Sequence, residues 1–178
     1  VLRFHHIDTN FKMFDENGKK IRGDMHNVGI SLSSEYGRKK MIDDKGWYIE
    51  PQGQLTIGYL GGDNYTTSNG IAVRQGGIRS ALGRIGFNLG KDIDEKTNIY
   101  LKANLLHEFG GGYHAAMADN SGSRIKIDRS FKDTWFEDGI GAAIQPGTNN
   151  HVYLDFERSA GGDFKKDWSW NVGARWTF

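Results

Sequence analysis

The chain has 178 residues, a formal net charge of +1 and no cysteine. That length suits one domain, the near-neutral charge gives no electrostatic ground for a nucleic-acid partner, and the missing thiols exclude disulfides, cysteine-type zinc sites and thiol catalysis. Mean hydropathy is -0.61 and no run comes near the ~18 consecutive apolar residues of a spanning helix, but strands cross a bilayer with one apolar residue in two.

Glycine is frequent, at 25 residues, and proline scarce, at 2, which suits tight turns between long strands. The chain opens at Val1 with neither a methionine nor a signal-peptide pattern and reads as processed or excised. Period-two alternation, the mark of a strand, then recurs along it. Residues 1–9 open weakly, with Leu2 and Phe4 opposite Arg3 and His5. In residues 28–37, Val28, Ile30, Leu32 and Tyr36 alternate with Gly29, Ser31, Ser33, Glu35 and Gly37. Residues 47–59 set Trp47, Ile49, Leu55, Ile57 and Tyr59 against Tyr48, Glu50, Gln52, Gln54 and Thr56. Buried amides and carboxylates without partners cost roughly 2–7 kcal/mol each, so this ladder needs a wet or networked interior.

The same scheme returns in residues 81–89, where Ile85, Phe87 and Leu89 oppose Arg84 and Asn88, and in 99–109, where Ile99, Leu101, Leu105 and Phe109 oppose Tyr100, Lys102, Asn104 and Glu108. It continues with Phe136, Ile140 and Ile144 against Glu137, Gly139 and Gly141, and with Val152, Leu154 and Phe156 against Tyr153, Asp155 and Glu157. The last stretch, residues 168–178, points Trp168, Trp170, Val172, Ala174, Trp176 and Phe178 one way and Ser169, Asn171, Gly173, Arg175 and Thr177 the other. Strands of ~9–11 tilted residues with aromatics at both ends span an outer membrane. The fold class predicted is an all-β, antiparallel transmembrane β-barrel with about eight meandering strands present.

Short turns follow the second, fourth and sixth strands, at residues 39–46, 90–98 and 145–150; long connections follow the odd ones, at 10–27, 60–80 and 110–134. Outer-membrane barrels keep short turns in the periplasm and long loops outside, so the C-terminus is expected in the periplasm. Residues 65–75 and 123–129 still alternate, and several strands are expected to extend as ribbons beyond the membrane. Asp138 and His107 fall on the apolar face. A cation there costs roughly 2–4 kcal/mol at mid-depth, an acid less, and either little at the interface. Both are therefore placed at a membrane boundary, with a local bulge as the other way to re-aim them.

Together these segments resemble the C-terminal translocator barrel of the autotransporters of type V secretion. The likeness covers nearly the whole chain and rests on Y-I-E-P-Q-G-Q-L-T at residues 48–56, G-R-I-G at 83–86, Y-L-K-A-N-L-L-H-E-F at 100–109, T-W-F-E-D-G-I-G at 134–141, D-F-E-R-S at 155–159 and N-V-G-A-R-W-T-F at 171–178. It implies an outer-membrane anchor that supports secretion of an N-terminal passenger, with no reaction and no cofactor. Its implied partners are outer-membrane lipid, the barrel-assembly machinery, and its own passenger and linker helix. The final octet resembles the assembly signal of outer-membrane proteins, which implies that role for Asn171, Gly173, Trp176 and Phe178. The resemblance implies a barrel of about twelve strands, within the range of outer-membrane barrels, so residues 1–178 are expected to be one domain, the C-terminal portion of that barrel. An open sheet would leave unpaired edges in lipid. Closure of the chain alone is topologically allowed, but an eight-stranded barrel has room only for packed side chains and the inward set here is long and charged.

That inward set is the candidate site: Glu35, Glu50, Gln52, Gln54, Arg84, Lys102, Glu108, Glu137, Asp155, Glu157 and Arg175. Two roles are open to it, a hydrated pore that meets a passing or plugging segment, and a brace of ion pairs across strands. Asp155 and Glu157 share a face, and an ion pair with Arg175 on the neighbouring strand is preferred to an acid–base couple. His107 and Glu108 lack the second histidine of the H-E-x-x-H zinc pattern, and His5 and His6, adjacent on a strand, point apart and share no metal. G-I-G-A-A-I at residues 139–144 lacks the third glycine and the following helix of a dinucleotide fingerprint. No catalytic residue and no metal are assigned. The inward glycines Gly29, Gly86, Gly139, Gly141 and Gly173 read as bends or as room for large neighbours. Competing readings are an omptin-like hydrolase with its site at the outer rim, an adhesive barrel, and a soluble β-sandwich or lectin-like module whose apolar face would be an inner core.

Overall fold

The computed structural model describes residues 1–147, 150–163 and 165–176. Its regular elements are all strands: β1 (Leu2–Phe14), β2 (Lys20–Gly37), β3 (Lys40–Met41), β4 (Trp47–Leu60), β5 (Asn64–Thr66), β6 (Ala72–Gln75), β7 (Ile78–Asp92), β8 (Thr97–Glu108), β9 (Gly112–Ala118), β10 (Arg124–Ser130), β11 (Asp133–Gly147), β12 (Asn150–Ala160) and β13 (Ser169–Trp176). The main sheet runs β1-β2-β4-β7-β8-β11-β12-β13, with β3 paired to β4 off this path. Each of its long strands contains or overlaps one segment picked out by alternation.

Two of the three long connections hold strands of their own. β5, β6, β9 and β10 form a separate four-stranded sheet in the order β10-β9-β6-β5, where ribbons continuing the main strands were expected. β6 pairs with β9 from Ala72↔Ala118 to Gln75↔Ala115, so the two connections join each other. In the first connection, by contrast, β1 and β2 stay paired from Leu2↔Leu32 to Phe14↔Lys20. Their turn is set by Asp15, whose Oδ1 accepts the backbone N–H groups of Asn17 at 3.0 Å and Lys19 at 2.7 Å.

The main sheet is apolar where it is exposed and polar where it is covered. On β2, Val28 is 62% and Leu32 58% exposed, while Asn27 and Ser33 are buried at 5% and 8%. On β12, Leu154 is 52% exposed beside Asp155 at 7%. Among the described residues no large side chain is fully buried. Such an apolar face forfeits ~25 cal/mol per Å² if left in water, and it inverts the packing of a soluble sandwich, whose apolar faces meet inside.

The chain divides into two compact units. One comprises Val1–Ser33, Thr56–Leu82 and Glu108–Lys132, and the other Ser34–Leu55, Gly83–His107 and Asp133–Phe178. The first holds the β1–β2 hairpin and the small sheet, around buried Ile21, Val73 and Ala115. Phe11 and Tyr65 meet edge to face there at 6.1 Å, and the Arg22 backbone N–H donates to Ser68 Oγ at 2.9 Å. The second unit buries Tyr48, Leu106, Asn104, Asp155 and Ser159 and carries most of the polar inner face.

Candidate functional site

Alternation places the polar side chains on one face, and two networks tie them together. In the first, Arg84 on β7 reaches both ways: Nη2 donates to Glu35 Oε1 at 2.8 Å, Nε to Gln54 Oε1 at 2.9 Å and Nη1 to Asn104 Oδ1 at 3.4 Å. The guanidinium fork thereby joins β2, β4, β7 and β8. In the second, Lys102 on β8 pairs with Asp155 at 3.0 Å and Glu157 at 2.7 Å on β12, and Tyr100 donates its hydroxyl to Asp155 at 2.6 Å. Lys166, from the connection before β13, lies 3.6 Å from both Glu157 and Glu137, and Trp135 Nε1 donates to Glu137 at 3.3 Å.

β11 lies between β8 and β12, so the second network spans two strand spacings, ~10 Å. The inward residues of β11 at this level are Gly139 and Gly141. A Cβ on Gly141 would overlap the Tyr100 ring and the Asp155 carboxylate, and one on Gly139 would come within 3.0 Å of Glu157 Cγ. The two glycines are the gap through which Tyr100 and Lys102 reach β12. Among the described residues, the cations at Asp155 and Glu157 are Lys102 and Lys166. Register sets Asn171 opposite Asp155 and Arg175 opposite His151, four residues and ~13 Å further along. The Arg175 side chain lies outside the described positions.

Glu108, expected to face inward, serves the backbone. It accepts the N–H groups of Ala81 and Gly110, each at 2.8 Å, and the Ser80 hydroxyl at 2.6 Å, closing the ends of β7 and β8. Glu50 and Gln52 are half-buried or better covered on the same face. Lys39, Tyr48, Tyr100, Asn104 and Lys166 also belong to the polar set. Lys39 pairs with Asp92 at 2.7 Å and sits 3.9 Å over the Tyr48 ring. Parity alone could have found Tyr48, Tyr100 and Asn104; Lys39 and Lys166 lie in connections, where no period exists.

On the opposite face, Asp138 and Arg158 are direct partners across β11 and β12, with Nε donating at 3.0 and 2.9 Å. The misplaced acid is thus neutralised by its neighbour. His107 shares a hydrogen bond with Thr134 Oγ1 at 2.6 Å while the adjacent Glu108 points the other way, so the two cannot act together as a hydrolytic pair. His5 and His6 point apart, His5 to Ser31 and His6 to Asp8. Among the described residues no group of three histidines or carboxylates is placed to hold a metal ion.

Of the expected assembly signal, Asn171 is exposed opposite Asp155. Gly173 lies under Tyr153, whose ring a Cβ there would overlap. Trp176 ends β13 opposite Asn150; its side chain, and all of Phe178, lie outside the described residues.

A meander with an exposed apolar outer face and an ion-paired polar inner face is the wall of a transmembrane β-barrel of the outer-membrane kind. The autotransporter beta-domain family model matches residues 2–157, and the chain belongs to that family, the outer-membrane translocator barrels of type V secretion. The pertactin autotransporter of Bordetella parapertussis is 31% identical over 182 residues, covering 100% of this chain and 19% of its own length. The BrkA autotransporter of Bordetella pertussis is 25% identical, covering 100% of this chain and 17% of its own. The crystal structure of the β domain of the Bordetella autotransporter BrkA shares the fold, with a TM-score of 0.71 at 23% identity over 99% of this chain and 64% of that one. This chain therefore spans less than a fifth of the curated relatives described.

Proposed function

We propose that this chain is the C-terminal portion of an autotransporter's translocator barrel, a single domain that anchors in outer-membrane lipid and supports export of an N-terminal passenger, catalysing no reaction and holding no cofactor. The observation that carries the reading is the inversion across β8, β11 and β12, where Leu101, Ile140 and Leu154 are exposed outward while Lys102 holds Asp155 and Glu157 inside. Lipid satisfies the first set and water or a polar segment the second. The inner face both braces the wall and meets the linker helix of the same protein. The barrel-assembly machinery reads Asn171, Gly173, Trp176 and Phe178. The long connections face outward from the cell and the C-terminus lies in the periplasm.

Residues 1–178 hold no cysteine, and any thiol elsewhere in the reading frame is first replaced by serine. In the complete reading frame, Asn17→Cys at the β1–β2 turn is expected to react with a membrane-impermeant maleimide on intact cells. Asp44→Cys, between β2 and β4, is expected to react only after the outer membrane is opened. The reverse pattern would invert the orientation, and recovery of the unaggregated protein in plain buffer would remove the membrane reading altogether.

A further inference from the structure

The small sheet has one packed face and one open face. Val73 and Ala115 are buried at 5% and 6% on the packed side. Register sets the open side: Arg74 on β6 and Lys126 on β10 both pair with Ala116 on β9, and Arg124 pairs with Ala118, which pairs in turn with Ala72. The result is a shallow trough with an alanine floor and cationic walls, continuous with depressions of about 370 and 240 Å³ along it. Arg74, Arg124 and Lys126 are exposed, and among the described residues they form no ion pair. The acid on this face, Asp128, is already hydrogen-bonded to His114 opposite it, and Asp119 in the adjoining turn is engaged by the N–H groups of Ser121 and Ser123 at 2.9 and 2.8 Å. The chain as a whole carries a net charge of +1, so three unpaired cations on one face are a local concentration of charge.

We propose that this trough binds a linear acidic polysaccharide. Side chains that leave a flat sheet side by side present separate charges, ~7 Å apart along β10 and ~10 Å apart across β9, instead of converging on one anion. The ligand must therefore repeat its anionic groups at that spacing, as the carboxylates or sulfates of an acidic sugar chain do. The floor itself is alanine, which gives a large apolar peptide side chain little to grip, whereas the cations beside it repeat along the strands.

The test uses the complete protein in detergent, so it does not depend on the orientation proposed above. The probe is a fluorescent, size-defined heparin octasaccharide. Three exposed ion pairs together contribute about tenfold in affinity, so the combined Arg74→Ala, Arg124→Ala and Lys126→Ala variant is expected to bind about tenfold more weakly, with unchanged heat-modifiable gel mobility as the check on folding. Ala116→Glu, which puts a carboxylate on the floor, is expected to weaken binding similarly, whereas Arg129→Ala with Lys132→Ala, off this face, is expected to leave it unchanged. Equal binding by the triple variant and the parent would overturn the site. Polyglutamate of matched charge, bound as tightly and with the same sensitivity to the triple variant, would overturn the polysaccharide in favour of an acidic peptide.

Discussion

Tyr100 on β8 and Gly141 on β11 are in contact over the inner face, the tyrosine ring occupying the space a side chain at Gly141 would fill. The absence of a Cβ lets the Tyr100 hydroxyl reach Asp155 one strand further on, at 2.6 Å. Gly141→Ala is expected to destabilise the folded barrel by about 1–3 kcal/mol, the ordinary cost of overpacking, measured as a shift in heat-modifiable gel mobility or in urea midpoint. In a Tyr100→Ala background the same substitution is expected to cost less, the remaining close contact being with the Asp155 carboxylate. An undiminished penalty in the double variant would rule out the ring as its cause.

Lys102 serves two carboxylates, so its loss leaves Asp155 without a cation and Glu157 with only Lys166, 3.6 Å away. Breaking a fully buried pair costs ~3–5 kcal/mol; these groups retain some exposure, the lysine side chain 17% and Asp155 10%, and Lys102→Met is expected to cost less, about 1–3 kcal/mol. Adding Asp155→Asn and Glu157→Gln removes the stranded charges and is expected to restore most of the stability. If the triple variant were less stable than the single, the network would be worth more than the charges it neutralises, contrary to this account.

Alternation made the eight wall strands legible because each residue on them faces either lipid or interior, with no intermediate environment. It also set Glu35, Arg84 and Lys102 on one face, where Arg84 meets Glu35 and Lys102 meets Glu157. It could not assign partners. Arg175 shares a face with Asp155, but register, set by the turn and connection geometry, moves it four residues away, and the cation that does arrive comes from two strands off through a gap made by two glycines. The small sheet stayed hidden for a related reason. β5 and β6 have only 3 and 4 residues, and β6 finds β9 more than thirty residues later, a non-local pairing that no period encodes.

Glu108 holds strand ends together through backbone amides, which makes a local prediction. Glu108→Ala leaves the Ala81 and Gly110 N–H groups without their acceptor, at about 1–3 kcal/mol. Hydrogen exchange at these amides is expected to accelerate by ~10-fold or more, while amides around Lys102 exchange as before. Uniform acceleration across both regions would mean that Glu108 supports the whole wall.

His26 and Asp8 form an exposed pair at 2.6 Å, two residues beyond the outward His6↔Val28 rung that ends the apolar stretch of the hairpin. Donating a hydrogen bond to the Asp8 carboxylate raises the His26 pKa above its ordinary 6.5, and accepting it lowers that of Asp8 below 3.8. The histidine's contribution is full below its ordinary pKa and fades as pH rises through the raised one. The carboxylate's is full above 3.8 and fades as pH falls through the lowered one. The pair is therefore strongest in mildly acidic solution, between these values. In an NMR titration His26 is expected to titrate above an ordinary histidine and to fall back toward it in Asp8→Asn, with Asp63 and Asp24 keeping a smaller upward pull. An unchanged His26 titration in that variant would exclude Asp8 as the cause.

Asp138 and Arg158 make the outward face a gauge of depth. Joined by hydrogen bonds of 3.0 and 2.9 Å, they present lipid with a neutral pair. Asp138→Asn leaves a lone guanidinium, whose cost in a barrel wall runs from about 2–4 kcal/mol at the midplane to about 0–1 near the interface. Arg158→Met leaves a lone carboxylate, for which the cost is smaller, and the double variant removes both charges. With the pair at the membrane boundary, as His107 and Thr134 nearby on the same outward face suggest by their polarity, the cation penalty is expected near the lower end, about 1 kcal/mol. Long Arg158 can also lift its head toward the interface once released, which lowers the figure further. A loss above ~2 kcal/mol for Asp138→Asn, abolished in the double variant, would place the pair inside the hydrocarbon layer and make it a buried ion pair of the lipid face. A loss equal in the single and double variants would mean the aspartate matters for packing and not for charge.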